Sequence, residues 1–212
     1  MPKFFVKINQ INENIITILG TDVNHIVNVL RLKIEDEIQV CNEDTGDNYN
    51  TKIVELNKEL VKCNILEKIQ SKAEADVHIS ILQGLPKAEK MELIIQKCTE
   101  LGVKEITPVE MERCIVKLDS KSASKKQERW QKIAEVAAKQ SGRDLIPKIN
   151  NVTNIKNVCN TLEDYDIVLV PYENEKNITL KEVLKELPKK NLKIAIVIGP
   201  EGGFEEKEIK IL

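Results

Sequence analysis

Four short runs of mostly apolar residues, separated by helical patterns, place the strongest constraint on the fold of residues 77–212. They lack the regular polar alternation of a strand that has one face in water. Strands of this kind, alternating with helices, are typical of a parallel sheet covered on both faces. The runs are VHISIL (77–82), KEITPV (104–109), DIVLVP (166–171) and KIAIVI (193–198). The sequence therefore predicts an α/β fold for this part of the chain.

The helices between these runs are indicated by apolar stripes and by their ends. A stripe at helical spacing predicts a helix over 88–102, with Gly102 as its C-terminal cap. The stripe consists of Met91, Ile94, Ile95, Cys98 and Leu101. SKKQ (124–127) fits a capping box that opens a second helix, which Gly142 closes and in which Trp130 faces the core.

Residues 1–70 show a different pattern, with short strand-like runs and one short helix. The predicted helix covers 21–31, with Thr21 or Asp22 as its N-cap. The runs are FFVKI (4–8), NIITIL (14–19), EIQVC (37–41), YNTKIVEL (49–56) and ELVKCNILEKI (59–69). This pattern predicts a small barrel-like β module. The polar stretch SKAEAD is the predicted linker, which gives domains at 1–70 and 77–212 joined by 71–76.

Three loops that follow predicted strands are candidates for a ligand site. Ligands of open parallel sheets bind beyond the carboxyl ends of the strands, and these loops share that edge. They are QGLPK (83–87), PYENE (171–175) and GPEGGF (199–204). The last has three glycines, yet it lacks the spacing and the Lys-Ser/Thr pair of a P-loop and follows the last strand rather than the first. Glu201 would also repel a phosphate. Two interpretations remain, a ligand loop or a plain strand-to-helix turn with Phe204 packed beneath it.

Charge and composition exclude several classes. The net charge is −2, but residues 111–148 carry ten Lys/Arg against five Asp/Glu, which fits either a solvated helix face or a phosphate-binding patch. No apolar run approaches the roughly 20 residues of a membrane span. The five cysteines lack metal-ligand spacing, so we expect free thiols, no metal site and a cytoplasmic location. Both histidines, His25 and His78, are expected to be structural.

Several motifs, in order along the chain, resemble the RsmE family of 16S ribosomal RNA methyltransferases, which modify the imide nitrogen (N3) of a uridine. The N-terminal motif that resembles this family is HIVNVLRLKIEDEIQV (25–40). Those of the second part are LQGLPKAEKMELIIQKCTELGV (82–103), ITPVEMERCIVK (106–117), ERWQKIAEVAAKQSGR (128–143) and IGPEGGFEEKEI (198–209). The resemblance implies a PUA-like RNA-binding β-barrel followed by a SPOUT α/β domain with a trefoil knot. It also implies S-adenosylmethionine as the cofactor, the small ribosomal subunit as the partner and a homodimer.

The resemblance further implies residue roles. The cofactor would lie against Leu169, Pro171, Ile198, Gly199, Pro200, Glu201 and Gly202. RNA would contact Arg31, Lys33, Lys117, Lys125, Lys126, Arg129 and Arg143. The catalytic candidates are Arg113, as a cation that stabilises negative charge on the uracil oxygens, and Glu201, as a base. For Arg113 a phosphate contact or surface ion pair is the alternative, and for Glu201 a role in loop architecture.

One departure from the family pattern concerns the C-terminal end. The family has a further segment of the type L-G-x-R-I-L-R-x-E-T-A that completes the knot, and this sequence ends at Leu212 within a helical pattern. We therefore expect the SPOUT domain of this chain to be incomplete at its C-terminus, with weak cofactor binding. A non-catalytic RNA-binding protein is the alternative function.

Overall fold

The structure, a computed structural model, describes residues 1–70, 73–176, 178–187 and 191–212. The chain forms two compact units. The first comprises Met1–Glu74 and Lys139–Leu145, and the second comprises Ala75–Ala138 and Ile146–Leu212. Residues 71 and 72 of the predicted linker lie outside the described residues.

The first unit is built on a six-stranded sheet. Its strands are β1 (Lys3–Val6), β2 (Ile11–Asn12), β3 (Ile15–Leu19), β4 (Glu37–Asn42), β5 (Asn48–Leu56) and β6 (Leu60–Ile69). They lie in the order β1-β4-β5-β6-β3-β2, and neighbours pair antiparallel except for β1 with β4. The longer strands bury side chains in one shared core, which includes Phe4, Ile16, Ile38, Ile53 and Val61. A single sheet encloses such a core only by curling, so the barrel-like β module is confirmed.

The helix expected at 21–31 is shorter than predicted. The helix α1 (Thr21–Asn24) begins after Gly20, which serves as the N-cap. The backbone of Gly20 has a φ of 73°, which glycine adopts without steric cost. The prediction of Thr21 or Asp22 as the N-cap was therefore wrong.

A π-helical turn (His25–Val29) continues α1 and then the helix stops. The amide of Leu30 donates to the carbonyl of His25 at 2.8 Å, five residues back. Arg31 follows with a φ of 53°, which ends the helical path. The ring of His25 packs edge-on against Phe4 with centroids 6.0 Å apart, a contact that agrees with the structural role expected for this histidine, which stays a prediction.

The second unit contains a parallel sheet, as predicted. Its strands are β7 (His78–Gly84), β8 (Glu105–Glu110), β9 (Lys148–Ile149), β10 (Thr153–Asn154), β11 (Ile167–Leu169) and β12 (Lys193–Ile198). The order is β10-β8-β7-β12-β11, with β9 also on β8, and every pair is parallel. The two-residue strands β9 and β10 had no sequence signal, because two residues are too few to show a period.

The remaining helices cover or flank this sheet. They are α2 (Lys90–Glu100), α3 (Ser120–Ser141), α4 (Ile155–Cys159), α5 (Leu180–Glu186) and α6 (Glu206–Ile209). The predicted capping box at Ser124 was wrong, because α3 begins four residues earlier. There the side chain of Asp119 accepts from the amide of Ser122 at 2.8 Å and caps the helix. Leu101 lies beyond the last turn of α2 and is 83% exposed, so it is not part of the buried stripe.

The core of the second unit lies between the sheet and its helices. Trp130 is 3% exposed and belongs to this core, as predicted. Strand β8 contributes Ile106, which is completely buried. Within the described ranges no helix has the length and apolarity needed to cross a membrane.

The substitution Ile106→Ala tests this core. We expect it to lower the free energy of unfolding by about 2–5 kcal/mol, because the cavity left by a fully buried side chain cannot be refilled. Ile115→Ala removes the same atoms from a side chain that is 68% exposed, and should cost less than about 0.5 kcal/mol. Urea unfolding of both variants measures the difference. Equal losses would contradict the assignment of Ile106 to the core.

Candidate active site

Four loops leave the carboxyl ends of β7, β8, β11 and β12 and meet at one edge of the parallel sheet. The loop after β12 contains the three glycines of GPEGGF (199–204). It touches the loop after β7 on one side and the loop after β8 on another. This edge is where an open parallel sheet binds its ligand.

The contact between the first and last of these loops is made by backbone. A Cβ atom on Gly84 would lie 2.7 Å from the backbone nitrogen of Pro200 and 2.8 Å from its Cδ. Any side chain at position 84 would therefore displace the proline. Next to it, the buried amide of Gln83 donates to the carbonyl of Gly84 at 2.9 Å. The glycine of QGLPK is thus required by packing.

Glu201 ties the glycine loop to the start of α2. Its carboxylate accepts the amide of Lys87 at 3.2 Å and the ammonium of Lys90 at 2.8 Å. The hydrogen bond from Lys90 is the largest cause that lowers the pKa of Glu201, to about 2. Such a carboxylate stays charged at neutral pH and is a weak proton acceptor. The geometry favours loop architecture over a role as base.

Arg113 ties the same loop to the segment after β8. Its Nε donates to Glu205 Oε1 at 2.7 Å and its Nη1 donates to the carbonyl of Gly202 at 2.8 Å. The Cβ of Arg113 would lie 3.2 Å from a Cβ on Gly202, so the two segments pass close together. Arg113 therefore contacts the loop predicted to bind the cofactor.

An aromatic pair joins the glycine loop to the loop after β11. Phe204 is 4% exposed and packs edge-on against Tyr172, with ring centroids 6.5 Å apart. A Cβ on Gly199 would lie 3.2 Å from the Phe204 ring. Phe204 thus packs beneath the loop, as the strand-to-helix interpretation predicts. That packing is compatible with a ligand loop, because it fixes the backbone from below.

An apolar cavity of about 520 Å³ lies beside β11. Its lining includes Leu169, Pro171, Tyr172, Val183, Ile209 and Leu212. Small-molecule sites have volumes of about 300–1,000 Å³ and mainly apolar walls, so the cavity has the size and character of such a site. Of the predicted cofactor contacts, Leu169 and Pro171 line it. Ile198 ends β12, and Gly199, Pro200, Glu201 and Gly202 belong to the glycine loop that follows.

The residues predicted to contact RNA differ in their exposure to solvent and in their ion pairs. Lys117, Lys125 and Lys126 are exposed, and so are Arg31 and Lys33 in the first unit. Lys126 also lies 5.9 Å from the centroid of the Trp130 ring. The exposed cations of the second unit could form a phosphate-binding face.

The two predicted arginines on and after α3 are both in ion pairs. Arg129 is mostly exposed and pairs with Glu92 at 2.9 Å. Arg143 is 3% exposed, and its guanidinium bonds Glu74 from Nε at 3.1 Å and from Nη2 at 2.6 Å. A buried, bidentate arginine is not presented to RNA, so Arg143 is not among the RNA contacts that we propose.

Sequence reasoning missed Glu208, a buried carboxylate next to the site. Glu208 is 2% exposed and accepts from the amides of Glu112 and Glu205, both at 2.9 Å. The pair Glu205 and Glu208 forms a capping box at the start of α6. Its N-cap is Glu rather than Ser or Thr, so the usual pattern did not indicate it.

Two family models match the chain. Residues 73–212 match a family described as an RNA methyltransferase domain, and residues 18–66 match an RNA methyltransferase PUA domain. The curated relative named ribosomal RNA small subunit methyltransferase E from Bacillus subtilis is 36% identical, over 100% of this chain and 85% of its own length.

Solved structures agree with these matches. Ribosomal RNA small subunit methyltransferase E from Neisseria gonorrhoeae, bound to S-adenosyl methionine, is 27% identical with a TM-score of 0.81, covering 100% of this chain and 84% of that one. A methyltransferase structure from Legionella pneumophila with the bound cofactor SAM is 26% identical with a TM-score of 0.82, covering 99% and 84%.

Fold and matches together define the class as an RNA methyltransferase domain joined to a PUA domain. Within that class, the chain belongs to the ribosomal RNA small subunit methyltransferase E (RsmE) family. The resemblance seen in the sequence motifs is therefore confirmed, and so is the fold that it implied as far as a curled N-terminal sheet followed by a parallel α/β sheet.

The pKa of Glu201 gives a test of the site. Because it is lowered from 4.5 to about 2, the contribution of this carboxylate to stability is present above about pH 4.5 and is lost as the pH falls toward 2. Lys90→Met should raise the pKa toward its ordinary value. Lys97→Met, which removes the separate pair with Glu100 at 2.8 Å, should leave it unchanged. NMR titration of the Glu201 carboxyl measures both, and a wild-type midpoint near 4.5 would refute the contact.

Proposed function

We propose that this chain is an enzyme that transfers a methyl group from S-adenosylmethionine to 16S ribosomal RNA of the small subunit. The observation that carries the proposal is the match of residues 73–212 to an RNA methyltransferase family, in a unit whose loops meet at the ligand-binding edge. The named relatives support the RNA of the small subunit as the substrate. Their bound cofactor supports S-adenosylmethionine.

The cofactor fits between the cavity and the glycine loop. We place its apolar parts against Leu169 and Pro171, which line the cavity. Its polar parts would meet the backbone of Ile198, Gly199, Pro200, Glu201 and Gly202. When bound, S-adenosylmethionine supplies an electrophilic methyl group on a sulfonium cation. The single ionisable side chain of the loop, Glu201, is acidic and pairs with Lys90, and a carboxylate at this position disfavours a phosphate.

For the acceptor we propose the imide nitrogen of a uridine, as the resemblance implies. The protein has to orient this nitrogen in line with the methyl group, and positioning of this kind supplies much of the rate. The imide proton must also leave, because the protonated nitrogen has no available lone pair. The lowered pKa of Glu201 makes it a weak base, so we propose that Glu201 holds the loop instead.

The RNA would lie along exposed cations. In the second unit these are Lys117, Lys125, Lys126 and Arg129, and in the first unit Arg31 and Lys33. Clustered lysines on one helix respond to phosphates even when the net charge of the whole chain is −2. We propose that the PUA module at 1–70 binds RNA and that 77–212, joined by the linker 71–76, performs the transfer.

Other properties implied by the resemblance are proposals of the same kind. They are the trefoil knot of the SPOUT domain, a homodimer and a cytoplasmic location. A protein that binds RNA without methylating it is the second candidate function, and the exposed lysines of α3 are the observation that favours it.

Methyl transfer is the direct test. The purified chain should incorporate labelled methyl groups from S-adenosylmethionine into small-subunit RNA or particles, and nucleoside analysis should identify 3-methyluridine. Gly199→Val should reduce incorporation at least about tenfold, because even a Cβ there would lie 3.2 Å from Phe204. RNA binding without incorporation by the wild type would favour the second function.

The lysine face can be tested by charge reversal. Lys125→Glu with Lys126→Glu should weaken RNA binding, and the slope of log affinity against log salt should fall by about one for each phosphate that is no longer neutralised. Lys181→Glu with Lys185→Glu makes the same charge change on exposed positions of α5 and is the matched control. If the two double substitutions weakened RNA binding equally, only the net charge of the protein would matter, and a specific RNA-binding face on α3 would be excluded.

A further inference from the structure

Arg113 makes two hydrogen bonds that both end on the segment after β12. One goes from Nε to the Glu205 carboxylate at 2.7 Å, and the other from Nη1 to the Gly202 carbonyl at 2.8 Å. Gly202 lies in the glycine loop and Glu205 is the N-cap of α6. A single planar guanidinium therefore fixes the loop and the start of the following helix at the same time.

A second side chain crosses between the same two segments in the opposite direction. The buried carboxylate of Glu208 accepts from the amide of Glu112, one residue before Arg113, and from the amide of Glu205. Arg113 thus reaches from the segment after β8 to the loop, while Glu208 reaches from α6 back to that segment. The two links leave the glycine loop little freedom relative to β8.

The other end of the loop is fixed independently. Glu201 accepts from Lys87 and Lys90, and the backbone of Gly84 lies against Pro200. Between these attachments the amide of Gly203 donates to the carbonyl of Pro200 at 2.9 Å, which closes a tight turn. The carbonyl of Gly202 lies inside this turn, so the bond from Arg113 ends on the turn itself.

We propose that Arg113 is a positioning residue that orients the Gly199–Gly203 backbone for binding of the cofactor. This inference rests on the proposed function, because the loop is the proposed cofactor contact. Loss of the guanidinium should weaken cofactor binding more than it slows the chemical step. A cation that stabilised charge on the uracil would show the opposite pattern.

Kinetics of Arg113→Gln and Glu205→Gln test the proposal. We expect the KM and Kd for S-adenosylmethionine to rise about tenfold for Arg113→Gln, with kcat changed less than about threefold. Both substitutions break the ion pair between Arg113 and Glu205. The double variant should therefore bind S-adenosylmethionine no more weakly than whichever single variant binds it less tightly. Lys207→Gln is the matched control, since Lys207 is a nearby cation that pairs with Glu112 at 3.0 Å. A fall in kcat at unchanged KM, or weaker RNA binding at unchanged Kd for the cofactor, would overturn the proposal.

Amide hydrogen exchange tests the link without relying on activity. In the protein without cofactor, Arg113→Gln should speed exchange at Gly203 at least about tenfold and leave Val197 of β12 unchanged, whereas Lys207→Gln should change neither. Unchanged exchange at Gly203 in Arg113→Gln would refute the positioning role. A wild-type chain that fails to bind S-adenosylmethionine would refute the proposed function alone, because the exchange measurement still reports on the link.

Discussion

The backbone contact between Gly84 and Pro200 is the constraint on which the candidate site depends. Strands β7 and β12 pair in parallel up to Gln83 and Ile198, so their chains leave the sheet side by side. A side chain at position 84 would fill the space that the proline ring occupies. The glycine therefore lets the last loop of the sheet lie over the first. Without that approach, Glu201 could not reach Lys87 and Lys90.

Carboxylates, rather than apolar contacts alone, hold the glycine loop in place. Glu201 attaches it to the start of α2, Glu205 receives Arg113, and Glu208 is buried between α6 and the segment after β8. Each carboxylate accepts from an amide or a cation, which offsets the cost of removing charge from water. Phe204 supports the loop from below. The backbone of the loop is thus attached at both ends, and Lys90 and Arg113 offset the charges of Glu201 and Glu205.

The sequence predicted those features whose causes are local. The run KIAIVI coincides with β12, because a strand buried on both faces is apolar along its whole length. The start of α3 was missed because two capping signals lie close together, and Asp119 caps the helix before Ser124 is reached. The role of Arg143 depends on Glu74, which is 69 residues away in the sequence. The links made by Arg113 and Glu208 likewise depend on strand order, which a periodic pattern does not contain.

The two edges of the parallel sheet use their polar groups differently, and this contrast favours the carboxyl edge as the functional one. At the amino edge Glu105 accepts from Ser80 at 2.6 Å and from Tyr165 and Asn150 at 3.2 Å, and His78 lies 3.3 Å away. Burial raises the pKa of Glu105, but these hydrogen bonds together lower it, so the carboxylate stays charged inside a closed network. These groups join β7 and β8 to the residues that follow β9 and precede β11. At the carboxyl edge the polar groups join loops instead, beside an apolar cavity of about 520 Å³. An edge where loops are fixed around open space can receive a ligand, whereas an edge whose polar groups satisfy each other serves stability.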